Sequence, residues 1–260
     1  MNTFADLHRG PLPLLLPNAW DVASALAFAD AGYLAIGTTS LGVSAALGVP
    51  DGSHGTRQAT LDLARSLSGL SAFVTMDCED GHSEDPAEVA AYVAELGALG
   101  VAGVNLEDSR DGHLVDPSEM AAKVAAVKDS APDVFVNARV DTYWFHEEES
   151  VEETLARATA YVEAGADGIF VPGLADPDPI RAITGGLAAP VNLLPIAGMP
   201  LTDLAELGVR RVSTGSLPYR AAVTVALASA EAVRDGTPLP ASIPYPDLQR
   251  LLTSHADPAG

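Results

Sequence analysis

Only one cysteine, Cys78, occurs in the 260 residues, which excludes an internal disulfide and a cysteine-rich metal cluster. A lone thiol fits a reducing compartment. Basic residues are also scarce: 14 Lys and Arg stand against 35 Asp and Glu, a formal net charge of −21. Phosphate backbones and anionic membrane surfaces repel such a chain, which argues against nucleic acid as a partner. No apolar run approaches the roughly 18 residues of a membrane span. The opening MNTFADLHRG lacks a basic stretch followed by an apolar one, so no signal peptide is expected. These absences together predict a soluble, cytoplasmic protein with neither nucleic-acid nor membrane partners. An acidic chain can still bind an anionic metabolite if it places a metal ion or an arginine at one local point.

What the chain does have is apolar content, 48% of residues, enough for a large core without staples. Short β-rich runs alternate with Ala/Leu/Glu-rich segments of helical period. Strands are expected at 12–17, 33–38, 72–77, 103–107, 134–139, 168–172, 190–194 and 211–214. Four of them follow a helix that ends in glycine, at Gly32, Gly100, Gly165 and Gly208, where a left-handed residue turns the chain into the next strand. Asp85-Pro86, Asp116-Pro117 and Asp176-Pro177 each offer an N-cap acceptor followed by proline at the first helical position. Eight such units predict a (β/α)₈ TIM-type barrel over residues 1–235. An open doubly wound sheet would usually carry a glycine-rich phosphate loop after strand one; Pro-Asn-Ala-Trp at 17–20 is not that loop. Residues 236–260 read as a C-terminal extension, a proline-rich connector (GTPLPASIPYP) and a short amphipathic helix at 247–254. With the Ala-rich helix at 216–234, the extension is expected to contact another subunit.

In this fold, ligands sit on the loops after strand C-termini. There the chain places Thr38, Thr39 and Ser40, and further along the same loop Asp51. The next strands end in Asp77-Cys78-Glu79-Asp80, Glu107-Asp108 and Arg139-Val140-Asp141, and Asn192 lies on strand seven. Carboxylates converging on one mouth repel; two could share a proton, or a divalent cation could relieve them. Oxygen-only donors favour Mg²⁺, with Mn²⁺ as a substitute. Arg139 offers a fixed fork for a substrate carboxylate, and the Thr-Thr-Ser loop offers hydroxyls and backbone N–H groups for the same anion. A 2-oxo acid would suit such a centre. Cys78, between acidic residues, reads as a small buried residue rather than a nucleophile. Asp80 and Asp108 read equally well as loop or supporting residues.

From about residue 14 to residue 220 these motifs resemble the isocitrate lyase/phosphoenolpyruvate mutase superfamily. NAWDVASALAFADAGYLAIGTTS resembles its first βα unit and substrate loop, and Asp51 in SAALGVPD matches an acidic residue that organises the metal site. By this resemblance MDCEDGHS makes Asp77 and Glu79 metal-linked, NLED makes Glu107 the third acidic partner, and NARVD makes Arg139 the substrate clamp. Asn192 and Arg220 resemble positions of the lyase branch.

The departures define what is missing. Where the lyases carry a cysteine-bearing loop after strand four, this chain reads Ser109-Arg110-Asp111-Gly112-His113. Pro172 stands where the relatives carry glutamate or histidine, and the mutase's lysine and asparagine pair is absent. The resemblance therefore implies an Mg²⁺-dependent lyase that cleaves or decarboxylates a small 2-hydroxy or 2-oxo acid. Asp51, Asp111 and His113 are the candidates for proton transfer. Phosphorus–carbon bond chemistry on a phosphonopyruvate-like substrate is the first alternative, and a non-catalytic 2-oxo acid binder the second. The expected assembly is a homotetramer, a dimer of dimers exchanging C-terminal helices.

Overall fold

The computed structural model describes residues 3–53 and 55–256. All eight expected strands form. They are β1 (Leu14–Leu16) with its continuation β2 (Asn18–Ala19), β3 (Ala35–Thr38), β4 (Phe73–Asp77), β5 (Gly103–Glu107), β8 (Phe135–Arg139), β9 (Gly168–Phe170), β10 (Val191–Leu193) and β11 (Arg211–Ser213). Every pairing between them is parallel, in the order β1-β11-β10-β9-β8-β5-β4-β3-β2. The two ends of that order are the two halves of one strand, divided only by Pro17, so the sheet closes on itself. This is the (β/α)₈ barrel.

Closure rests on short side chains and one amide. A Cβ on Gly37 would meet Leu16 at 2.5 Å and Asn18 at 2.8 Å, so only glycine lets β3 approach β2 this closely. Asn18 Nδ2 donates to the Thr38 carbonyl at 2.7 Å, while its Oδ1 accepts from Gly215 N at 2.9 Å. One side chain thus ties the first strand to the second and to the last.

The outer helices are α1 (Val22–Asp30), α2 (Ser40–Leu47), α3 (Arg57–Ser66), α4 (Pro86–Ala98), α5 (Pro117–Ser130), α6 (Thr142–Phe145), α7 (Val151–Glu163), α8 (Pro177–Gly186), α9 (Leu201–Glu206), α10 (Leu217–Asp235) and α11 (Tyr245–Ala256). Asp85 and Asp116 cap α4 and α5 through the amides of Ala87 and Ser118. Asp176 occupies the corresponding position before α8 without a side-chain cap bond. Gly32, Gly100, Gly165 and Gly208 all take positive φ, as a left-handed turn into each strand requires. Among the described residues no helix is long and apolar enough to cross a membrane.

Three features have no counterpart in the sequence expectations. A three-ten helix at Ala5–Arg9 plugs the barrel's N-terminal end, where Phe4, Leu16, Ala35 and Phe135 form a separate buried cluster. His8 stacks on Phe135 at 4.6 Å. The segment after β3 is not a loop but begins the helix α2, with Thr39 as its N-cap. After β5 a small antiparallel hairpin pairs β6 (Ser109–Arg110) with β7 (His113–Leu114).

The C-terminal extension runs back along its own barrel: α11 packs on α1, with Arg250 facing Asp30 and His255 Nε2 2.8 Å from the Ser66 carbonyl. Residues 257–260 of the extension lie outside the described residues. The preceding helix α10 stands off the barrel, with Ala232 its single buried residue.

Candidate active site

The C-terminal ends of β3, β4, β5 and β8 surround one opening. Two adjoining cavities of about 370 Å³ and 330 Å³ share Ser40, Asp51, Arg139 and Trp144 and make up its two halves. Asp77, Asn105, Phe170, Pro172 and residues 213–216 wall the first; Glu79, Glu107 and Asp111 wall the second.

Arg139 is the hub. Its Nη1 lies 2.8 Å from Glu107 Oε2, and its Nε donates to Asp141 Oδ1 at 2.6 Å. Register explains the first contact, since Glu107 and Arg139 are paired partners on neighbouring strands. Burial opposes the guanidinium charge, but Glu107, Asp141 and Asp77 outweigh it and raise its pKa, so the group stays protonated. Its plane lies over Trp144 and Phe170, at 5.6 and 5.8 Å from the ring centres, which shelters the charge.

The carboxylates strain against one another. Burial pushes the Asp77 carboxyl up; Arg139 pulls it down, and Asp51 pushes it up again. Burial likewise lifts Glu107 well above the usual glutamate range, with Arg139 opposing and Asp141, Asp77 and Glu79 adding to the rise. Ser40 N, in the first turn of α2, donates to Asp77 Oδ2 at 3.1 Å, and Thr38 Oγ1 accepts from Asp77 N at 2.9 Å. Thr56 Oγ1 donates to Glu79 Oε1 at 2.5 Å.

Behind this mouth is a buried network that holds Arg139 in place. Asp108 is fully buried and accepts from Tyr161 Oη at 2.7 Å and from Asp141 N at 2.9 Å. Burial is the main cause that pushes its carboxyl up to about 6. Asp141, equally buried, receives Ser109 Oγ at 2.5 Å and Arg139 Nε on its two oxygens. Asp108 therefore supports the site from below. Asp80 is likewise engaged, by Arg110 at 3.2 Å and Lys123 at 3.5 Å.

Of the residues expected from sequence, the opening brings together Thr39, Ser40, Asp51, Asp77, Glu79, Glu107, Asp111 and Arg139. Thr38 is buried behind it, fixing the end of β4. Asn192 sits inside the barrel and accepts from Ser213 Oγ at 2.9 Å; it is Ser213 that reaches the cavity. His113 belongs to neither cavity: on the outer strand of the hairpin it is exposed and faces Glu147 at 3.4 Å. Cys78 is completely buried, and burial followed by Asp77 raises its thiol pKa, so it is no nucleophile. Sequence reasoning gave no role to Asp141, Trp144 or residues 213–216. Only Asp141 left a signal, an acidic residue two positions beyond the arginine.

Among the described residues no three His, Cys, Asp or Glu side chains form a ready metal cage. The donors nevertheless suit Mg²⁺, a cation that keeps several waters and takes one or two carboxylates. They are oxygens only, and several carboxylates share one arginine as their counter-charge.

The sequence matches the phosphoenolpyruvate phosphomutase family over residues 4–234. The chain belongs to the phosphoenolpyruvate mutase/isocitrate lyase superfamily. An uncharacterized protein of Mycobacterium tuberculosis is 50% identical over 253 residues, 97% of each chain. A 2-methylisocitrate lyase of Halalkalibacterium halodurans is 30% identical over 212 residues, 76% of this chain and 69% of its own. A phosphonopyruvate hydrolase solved with oxalate and Mg²⁺ superposes with a TM-score of 0.83 at 26% identity, covering 99% of both chains. Superfamily membership thus spans lyase, hydrolase and mutase chemistry on small carboxylates.

Proposed function

We propose that the protein is an Mg²⁺-dependent carbon–carbon lyase acting on a small 2-hydroxy or 2-oxo acid, with decarboxylation of a 2-oxo diacid within the same class. The observation that carries this is the grouping of Asp77, Glu107 and Arg139 at one sheltered strand-end opening. Asp77 would hold the ion directly, with Glu79 and Glu107 acting directly or through water. Bound there, Mg²⁺ would act as a Lewis acid toward the substrate's carboxylate and neighbouring oxygen.

Arg139, with Thr39 and Ser40, would bind the substrate carboxylate. Arg139 is itself only 15% exposed, beside Trp144 and Phe170, and partial burial strengthens its pull on an anion. Breaking the bond beside the 2-oxo carbon leaves the electron pair as an enolate, and one group must then exchange a proton with it. Asp111 and Asp51 reach the cavities and are the candidates; His113 does not. With Cys78 buried and the loop after β5 free of cysteine, no thiol takes part.

The test is to incubate the purified chain and Mg²⁺ with oxaloacetate, methylisocitrate-type acids and phosphonopyruvate in turn. Turnover of a carbon acid supports the lyase. Phosphate release from phosphonopyruvate points to phosphorus–carbon chemistry instead, and tight binding of all three without turnover to a binder.

A further inference from the structure

The floor of the opening contains an amide whose orientation is dictated from inside the barrel. Asn105 on β5 is in register with Asp77 on β4 and Asn137 on β8. Only 7% exposed, it lines the larger cavity beside Asp77 and Arg139. Arg211, on β11, is 1% exposed and donates from Nη2 to Asn105 Oδ1 at 3.3 Å. Three strands separate β11 from β5 in the sheet order, so this contact crosses the barrel interior. Asn137 Nδ2 donates to the same oxygen at 2.9 Å.

A guanidinium has donors and no acceptor. The end of the Asn105 amide that faces Arg211 is therefore the oxygen, which removes the usual O/N ambiguity of an asparagine. The NH₂ end is left for the cavity. Packing alone explains Arg211 poorly. Its Nε and Nη1 have no partner, burial drives its pKa down to about 9, and the one hydrogen bond of its side chain among the described residues is the one to Asn105. An apolar side chain would fill that space at lower cost.

We propose that Asn105 is a substrate-binding residue whose Nδ2 donates to a charged oxygen of the bound 2-oxo acid, and that Arg211 is the positioning residue that fixes this amide. The assignment rests on the ligand class proposed above. A donor-only group on a sheltered floor, fixed before the ligand arrives, favours an oxygen that carries or gains negative charge. It offers nothing to an apolar or cationic group.

The experiment is titration calorimetry of the full chain with oxalate in saturating Mg²⁺. Asn105→Ala is expected to weaken oxalate roughly ten- to hundredfold. Asn105→Asp weakens it further, because a carboxylate offers only acceptors and adds charge. Arg211→Met loses about three- to tenfold by letting the amide turn, and the double variant is no worse than Asn105→Ala. That lack of additivity is what a merely structural arginine would not produce. In the folded wild type, the Asn105 side-chain ¹H–¹⁵N pair must also shift when oxalate is added, a readout that survives should Arg211→Met fail to fold. Asn105→Ala binding within about twofold of wild type, or an unmoved amide pair, overturns the assignment. If wild type binds no oxalate, the ligand class itself fails and this assignment fails with it.

Discussion

Arg139 shows how much a single side chain can be asked to do. Its fork touches Glu107 and Asp141 while its face lies against two aromatic rings, so charge and shape are separately testable. Arg139→Lys keeps the charge and loses the planar fork, and is expected to weaken oxalate at least about tenfold by calorimetry. Arg139→Met leaves the fully buried Asp141 and the partly buried Glu107 without their counter-ion. Breaking such a pair costs about 3–5 kcal/mol, visible as a lower urea midpoint. Cys78→Ala, by contrast, should keep full activity toward whatever substrate the assays reveal, because its thiol is fully buried, lines neither cavity and donates to the Met76 carbonyl at 3.8 Å. Loss of turnover in a folded Cys78→Ala protein would mean that the chemistry has been assigned to the wrong groups.

Among the elements, the N-terminal plug makes the clearest prediction. His8 is 4% exposed, and burial, reinforced by Arg211, lowers its pKa to about 4. The folded state holds it neutral, whereas the unfolded chain protonates it below about 6.5. Its contribution to stability is therefore intact above pH 6.5 and is lost progressively as pH falls towards 4. The loss amounts to about 3 kcal/mol over that window. Urea unfolding of wild type and His8→Gln at pH 7 and pH 4.5 checks this: the variant should lose about 2 kcal/mol less stability than wild type between the two, and equal losses would contradict it. Nothing in MNTFADLHRG announces a plug, because five residues of helix are too few to show a period. The barrel strands are legible for the opposite reason: each is an apolar run with a polar end, and four of them follow a helix that closes on glycine. The carboxylates of the site were legible too, since strand ends in a barrel face one opening. Which of them engage each other was not. Glu107 meets Arg139 through strand register, and Glu79 meets Thr56 across 23 positions. The sequence points to His113 because its loop stands where the resembled family has a catalytic one; the hairpin turns it outward.

At the scale of the whole molecule, α10 is the unfinished part. It lies almost entirely outside the core while carrying Val223, Leu227 and Val233 at 52%, 62% and 71% exposure. A stripe of that kind favours association, and the expected assembly is a tetramer, a dimer of dimers that exchange α10. Because α11 already packs on its own α1, the exchanged helix is placed ahead of the proline-rich connector rather than beyond it. Light scattering at micromolar concentration should give a tetramer for wild type and a smaller species for Leu227→Glu. A monomeric wild type would contradict the assembly.

The proposed function requires the acidic opening to hold Mg²⁺ and a 2-oxo acid together, with Asp77 at the centre. The direct measurement is oxalate binding by calorimetry, with and without Mg²⁺, for wild type and Asp77→Ala. Wild type should bind only when Mg²⁺ is present, and Asp77→Ala should lose that binding while keeping its fold by circular dichroism. Oxalate bound equally well with or without Mg²⁺, or by the folded Asp77→Ala protein as by wild type, would contradict the metal centre.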